Sequence, residues 1–156
     1  TILPAIHFIY DVASNPEMRE KMHKEQQKVL AQHGTAFIKE ALQDMTYLDA
    51  CLRETLRLNT NAVTIYRKTA RDMTFSNGVC IPAGRLCFLN MRAVNRSSGA
   101  YNSASGHTPD SKVKKAVEPD FGYVTFGAGR KACPGRFFAV GMLKSLIAWL
   151  LRSYDF

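Results

Sequence analysis

Phe126-Gly-Ala-Gly129-Arg-Lys-Ala-Cys133-Pro-Gly135-Arg-Phe-Phe-Ala139 sets one cysteine among three glycines, just ahead of a long apolar run. That run predicts a helix over 136–151. It is apolar nearly all round, from Phe137 and Phe138 to Trp149 and Leu150, as in a helix enclosed by a large protein. Cys133 then stands at a helix N-terminus, where unpaired N–H groups and the positive end of the dipole favour a thiolate. Arg130, Lys131 and Arg136 add positive charge. Gly127, Gly129 and Gly135 remove side chains near the sulfur, so a large flat group can approach the backbone. Such a thiolate suits a metal ligand or a nucleophile. The plainer alternative is an inert cysteine buried beside a tight turn.

Gly127-Ala-Gly129-Arg-Lys-Ala132 also satisfies a dinucleotide-binding fingerprint, with Asp155 roughly 20 residues on. Against it, Pro134 and Gly135 would fall in the first turns of the helix which that motif opens, where both are costly. The chain also ends before a second strand and crossover form.

Upstream, residues 45–58 predict a helix with Leu48, Leu52 and Leu56 in one stripe and Cys51 beside it. Glu54 and Arg57 share another face, well away from the leucines. Alone, such a pair reads as a solvated surface contact. Residues 63–92 predict a small sheet: Val63–Tyr66 is one strand, Met73–Phe75 and Val79–Ile81 form a hairpin about Asn77-Gly78, and Leu86–Met91 is another strand. Pro82-Ala83-Gly84 is a further turn. Residues 95–120, rich in Ser, Gly, Asn, Asp and Lys, read as an irregular loop. At the start, Ile2, Leu3, Ile6, Ile9, Tyr10 and Ala13 predict a helix ending near Ser14. Asn15 and Pro16 then cap and open an amphipathic second helix that stops at Gly34. The whole is mainly α with a small β-sheet.

The 156 residues are 46% hydrophobic and 22% charged, which excludes a disordered tail and fits one globular domain or a piece of one. The net charge of +8 favours acidic partners without choosing among a membrane face, a nucleic acid and an acidic protein. Cys51, Cys80, Cys87 and Cys133 show neither a Cys-x-x-Cys pair nor zinc spacing. They read as reduced thiols of a cytosolic setting, two disulfides being the alternative. The opening apolar segment has no initiating Met or signal peptide and is too short to span a bilayer, so the chain reads as a fragment.

Together these features resemble the cytochrome P-450 haem-thiolate monooxygenases. Phe126–Ala139 resembles the family's cysteine-ligand loop. Glu54-Thr-Leu-Arg57, within Tyr47–Leu58, resembles its Glu-x-x-Arg helix, and Arg67–Phe75 with Ile81-Pro-Ala-Gly84 resembles its short sheet. Two motifs in the right order are far more specific than either alone. Cys-Pro-Gly-Arg-Phe-Phe-Ala looks like fungal members, often tied to secondary metabolism. The chain would be the C-terminal part of that fold: the end of the central long helix, the Glu-x-x-Arg helix 45–58, the sheet 63–92, the loop 95–120, the cysteine-ligand loop 126–135 and the final helix 136–151.

The resemblance implies that Cys133 is the axial thiolate of haem b, its charge favouring O–O cleavage. Phe126 would pack beneath the ligand, and Gly135 would line the haem site. Arg67 and Lys131 would meet the propionates, Lys131 supplying charge without the planar fork of an arginine. Glu54 and Arg57 would form a buried ion pair holding the haem-side scaffold. The family's Arg-containing segment that completes that pair has no clear version within 97–118, where only Arg96 and lysines stand. No residue of this stretch is implied as catalytic, since the oxygen-handling acid–alcohol pair would lie before Thr1. The implied reaction inserts one oxygen atom from O2 into a lipophilic substrate, with electrons from an NADPH-cytochrome reductase and no nucleic-acid partner. The parent would sit on the cytosolic face of the endoplasmic reticulum membrane through an N-terminal anchor missing here. The rivals are a non-catalytic truncated remnant and a non-oxidative rearranging relative.

Overall fold

The computed structural model describes residues 2–36, 38–60, 65–97 and 114–154. Helix α1 (Ile2–Ala13) forms as expected, but its core face is Ala5, Phe8 and Val12, while Ile2, Leu3, Ile6 and Tyr10 face outward. The helix is apolar on more than one side, so periodicity alone does not choose the buried stripe. At the start of α2 (Pro16–His33), Asn15 Oδ1 accepts the Met18 N–H at 3.0 Å. At its end Gly34, with φ +78°, donates to the Leu30 carbonyl at 2.9 Å. Both ends are those read from the sequence.

A short helix α3 (Lys39–Asp44) follows, which no sequence signal announced. Helix α4 (Thr46–Asn59) buries Leu48, Leu52 and Leu56, the predicted stripe, each contributing about 2 kcal/mol of apolar burial. Residue Met45 gives its N-terminus no side-chain cap. Glu25 of α2 does so instead, accepting the Tyr47 N–H at 2.6 Å and the Leu48 N–H at 2.9 Å.

The expected single sheet is two two-stranded ones. Strand β1 (Tyr66–Lys68) pairs antiparallel with β4 (Leu86–Phe88), Arg67 opposite Cys87. Strand β2 (Met73–Thr74) pairs with β3 (Cys80–Ile81) across the Asn77-Gly78 turn, where Gly78 takes φ +85°. The turn at Pro82-Ala83-Gly84 breaks the ladder: Gly84 N–H donates to the Thr69 carbonyl and Ala83 N–H to Asp72 Oδ1. Residues 63 and 64 of the first predicted strand lie outside the described residues. The last predicted strand stops at Phe88. Asn90 caps a short helix α5 (Met91–Asn95) by accepting the Ala93 N–H at 3.0 Å, so residue 95 ends a helix rather than opening a loop. Within the predicted loop 95–120, residues 98–113 lie outside the described residues.

Helix α6 (Arg136–Ser153) buries Val140, Leu143, Lys144, Ile147, Ala148 and Leu151 against α1, α2 and α4. Gln26 of α2 donates to the Ala148 carbonyl at 2.6 Å, fixing the two helices together. The opposite side of α6 stays open, with Phe138 76% exposed and Phe137, Met142, Leu146 and Trp149 also accessible. A helix apolar all round has one face too many for the neighbours described here. Among the described residues no helix is long and apolar enough to cross a membrane.

Candidate functional site

Cys133 lies three residues before the start of α6, with its side chain exposed. Its N–H donates to the Phe126 carbonyl at 2.7 Å, closing the loop on itself. Gly127 makes that return possible: its φ is +83°, and a Cβ there would lie 3.5 Å from both Ala132 Cα and the Lys131 carbonyl. A 3-10 turn, Gly129–Lys131, carries Lys131 to the surface. Gly135 has ordinary dihedrals, but a Cβ on it would stand 3.8 Å from Cys133 Sγ. No side chain caps the N-terminus of α6. The thiol therefore meets solvent at an open, positively polarised helix end, with its glycine side clear. That arrangement suits a single soft thiolate donor to a large group. Among the described residues no three His, Cys, Asp or Glu side chains gather as an alternative metal site, and the four cysteines are free thiols.

Phe126 is partly buried against the core, and its carbonyl accepts the Cys133 N–H. Arg67 is exposed on β1, its guanidinium donating to the Tyr66 carbonyl at 2.7 Å. Glu54 and Arg57 do pair: Arg57 Nε donates to Glu54 Oε2 at 2.7 Å and Nη2 to Oε1. The pair is not buried as expected, since the Glu54 side chain is 49% exposed while Arg57 is 14% exposed. The leucine stripe turns this face of α4 away from the helical core, and only Arg57 reaches cover. Its Nη1 donates to the Asn95 carbonyl at 2.6 Å. A helix-end carbonyl thus joins a network for which the sequence named no third member. Arg96 goes elsewhere, to the Leu58 carbonyl.

Arg53, one residue before Glu54, carries no sequence signal of its own. It donates to the carbonyls of Lys115 and Glu118, pairs with Asp120 at 2.8 Å and lies 3.9 Å over the Tyr123 ring. Arg136 works from the other side, donating to the carbonyls of Val117 and Cys133. Burial alone would raise the Asp120 carboxyl, but Lys114, the Gly122 N–H and Arg53 together hold it below the usual carboxylate range. The segment leading to the cysteine loop is therefore held by side chains from α4 and α6. Beside it, a cleft of about 870 Å³ opens between α3, α4, residues 114–119 and α6. Its walls include Leu42, Phe137 and Val140 with Lys39, Lys115 and Arg136.

The Cytochrome P450 family model matches residues 1–156. Among curated relatives, cytochrome P450 monooxygenase 103 of Postia placenta is 32% identical over 161 residues, covering 96% of this chain and 32% of the relative. Cytochrome P450 monooxygenase idtP of Claviceps paspali is 31% identical over 158 residues, with the same coverage. Cytochrome P450 monooxygenase braC of Annulohypoxylon truncatum is 33% identical over 168 residues, covering 99% of this chain and 33% of the relative. The chain spans about a third of the length of these relatives. With a match along its whole length and an exposed cysteine at the mouth of its last helix, the chain belongs to the cytochrome P450 family.

Proposed function

We propose that this chain is the haem-thiolate portion of a monooxygenase of secondary metabolism, with Cys133 as the axial ligand of haem b. The observation that carries it is the exposed Cys133 side chain at the uncapped start of α6, with Gly135 leaving its sulfur open. Bound haem supplies activation of O2 for transfer of one oxygen atom to a lipophilic substrate. The chain's own residues hold and orient the ligand. The Cys133 N–H is committed to Phe126, so the loop keeps its shape while the sulfur stays free. The positive end of α6 favours negative charge on a ligand atom beside it. Arg67 and Lys131, both exposed cations, would neutralise the propionates. Exposed Arg130 and Lys131 beside Cys133, and Lys39 and Lys115 in the cleft wall, supply positive charge suited to an acidic electron donor, an NADPH-cytochrome reductase. The parent protein would be held at the cytosolic face of the endoplasmic reticulum membrane.

The chain is loaded with haem b, reduced and exposed to carbon monoxide. A thiolate-type Soret band that Cys133→Ala abolishes is the expected result, and its absence from the wild-type chain overturns the proposal. The open apolar faces of α1 and α6 favour a second reading for the chain by itself, a non-catalytic remnant. Turnover of a substrate in the presence of reductase, NADPH and O2 would exclude that reading.

A further inference from the structure

A buried asparagine must place one carbonyl oxygen and one NH2 group as well as its backbone groups. Asn95, at the end of α5, is 0% exposed and does so in two directions. Toward α4, its backbone carbonyl accepts Arg57 Nη1 at 2.6 Å, and its Nδ2 donates to the Arg57 carbonyl at 3.3 Å. Toward the cysteine loop, its Oδ1 accepts the Val124 N–H at 2.8 Å, and Nδ2 also donates to Thr125 Oγ1 at 3.1 Å. Residues 124–126 belong to no strand, so the Val124 N–H finds a side-chain amide where a sheet would supply a carbonyl. Two bonds continue the path: Gly127 N–H to the Val124 carbonyl at 2.8 Å, and Cys133 N–H to the Phe126 carbonyl at 2.7 Å.

We infer that Asn95 is a positioning residue, coupling the Glu54–Arg57 pair to the backbone that presents Cys133. The role rests on Cys133 being the iron ligand, while the coupling itself is independent of haem. Asn95 stands in for a sheet neighbour on one side and, through its backbone carbonyl, accepts from the arginine of the ion pair on the other. Its Oδ1 and its Nδ2 both reach the cysteine loop, at Val124 and Thr125, so a methyl group, which offers neither, breaks the coupling.

Amide hydrogen exchange on the 156-residue chain without haem tests this. In Asn95→Ala, the Val124 and Cys133 amides should exchange at least tenfold faster, while the Gly34 amide at the far end of α2 keeps its rate. In Asn95→Asp, which keeps the acceptor for Val124 but sets an oxygen against the Arg57 carbonyl, the Val124 amide should stay better protected than in Asn95→Ala. If Asn95→Ala does not fold, Asn95→Ser takes its place in the comparison with Asn95→Asp. Uniform acceleration of all amides, or an unchanged Cys133 amide in Asn95→Ala, overturns the inference. After haem loading, reduction and addition of carbon monoxide, the wild-type chain should show the thiolate-type band while Asn95→Ala shifts toward the thiol-type one. A wild-type chain without a thiolate-type band overturns the haem reading and the role built on it. An intact wild-type band with no exchange effect overturns the role alone.

Discussion

Lys144 of α6 holds its ammonium 3.0 Å from an Asp49 oxygen on α4, with the two side chains only 6% and 13% exposed. The second Asp49 oxygen accepts the Ala116 N–H at 2.7 Å, so one carboxylate joins two helices and the segment leading to the cysteine loop. Removing one charge leaves the other buried without its partner. Asp49→Ala or Lys144→Met should each cost about 3–5 kcal/mol in urea unfolding. The double variant should recover part of that loss, since no charge is stranded. Recovery should stay incomplete because the Ala116 N–H loses its acceptor. Additive single losses would refute the pairing.

Glu25 performs for α4 what a capping residue ordinarily does, although it lies on another helix. Its two oxygens take the Tyr47 and Leu48 N–H groups, and Thr46 Oγ1 donates to it at 3.2 Å. Glu25→Ala should therefore lower stability by about 1–2 kcal/mol and speed amide exchange at Tyr47 and Leu48. Glu25→Gln keeps an acceptor but not the charge, so its loss should be smaller. Unchanged stability and unchanged exchange at Tyr47 and Leu48 in Glu25→Ala would mean that the carboxylate does not act on the helix end.

Local chemistry was legible wherever a residue acts on its own neighbourhood. Asn15 capping Met18, Gly34 closing α2 and Gly78 in the hairpin follow from backbone preferences within four residues. The leucine stripe of α4 followed from helical spacing. What was hidden depends on distant partners. Nothing near Glu25 indicates that it caps a helix 21 residues on, and nothing near Arg53 indicates that it grips residues 115–123. The exposure of Glu54 agrees with what the two residues suggest by themselves, a solvated pair on the face away from the leucines; burial was implied by the resemblance alone. Asn95 sits in Met-Arg-Ala-Val-Asn, five residues too short for a helical period to stand out, and only the Asn90 cap marks where the strand ends and the helix starts.

Cys51 offers a prediction set by pH. Burial pushes its thiol up from 9.0 to about 11, against the Tyr47 hydrogen bond and the Lys21 charge, which pull it down. At pH 8 an alkylating reagent should modify the exposed Cys80 and Cys133 and leave Cys51 largely untouched. The folded state holds the Cys51 proton more tightly than the unfolded chain. Its contribution to stability is thus fully present below pH 9.0 and is lost as pH rises through about 11. The wild-type urea midpoint should fall more steeply across that window than that of Cys51→Ala, in which this group no longer titrates. Parallel curves would show that the thiol is not differently held in the two states.

The two glycines flanking the cysteine should separate folding from ligand access. Gly127 takes φ +83°, so Gly127→Ala forces a side chain into left-handed backbone at a cost of about 1–2 kcal/mol. Gly135 sits at φ −76°, which any residue adopts, so Gly135→Ala should change stability by less than about 0.5 kcal/mol. Its new methyl group, however, would stand 3.8 Å from Cys133 Sγ, on the side the glycine leaves open. Urea unfolding should rank Gly127→Ala well below wild type, with Gly135→Ala level with it. Haem titration should show weakened loading in Gly135→Ala despite its intact fold, because the methyl group fills space that a large ligand on the sulfur would need. Wild-type loading in Gly135→Ala would mean that the open side of the sulfur is not where the ligand approaches.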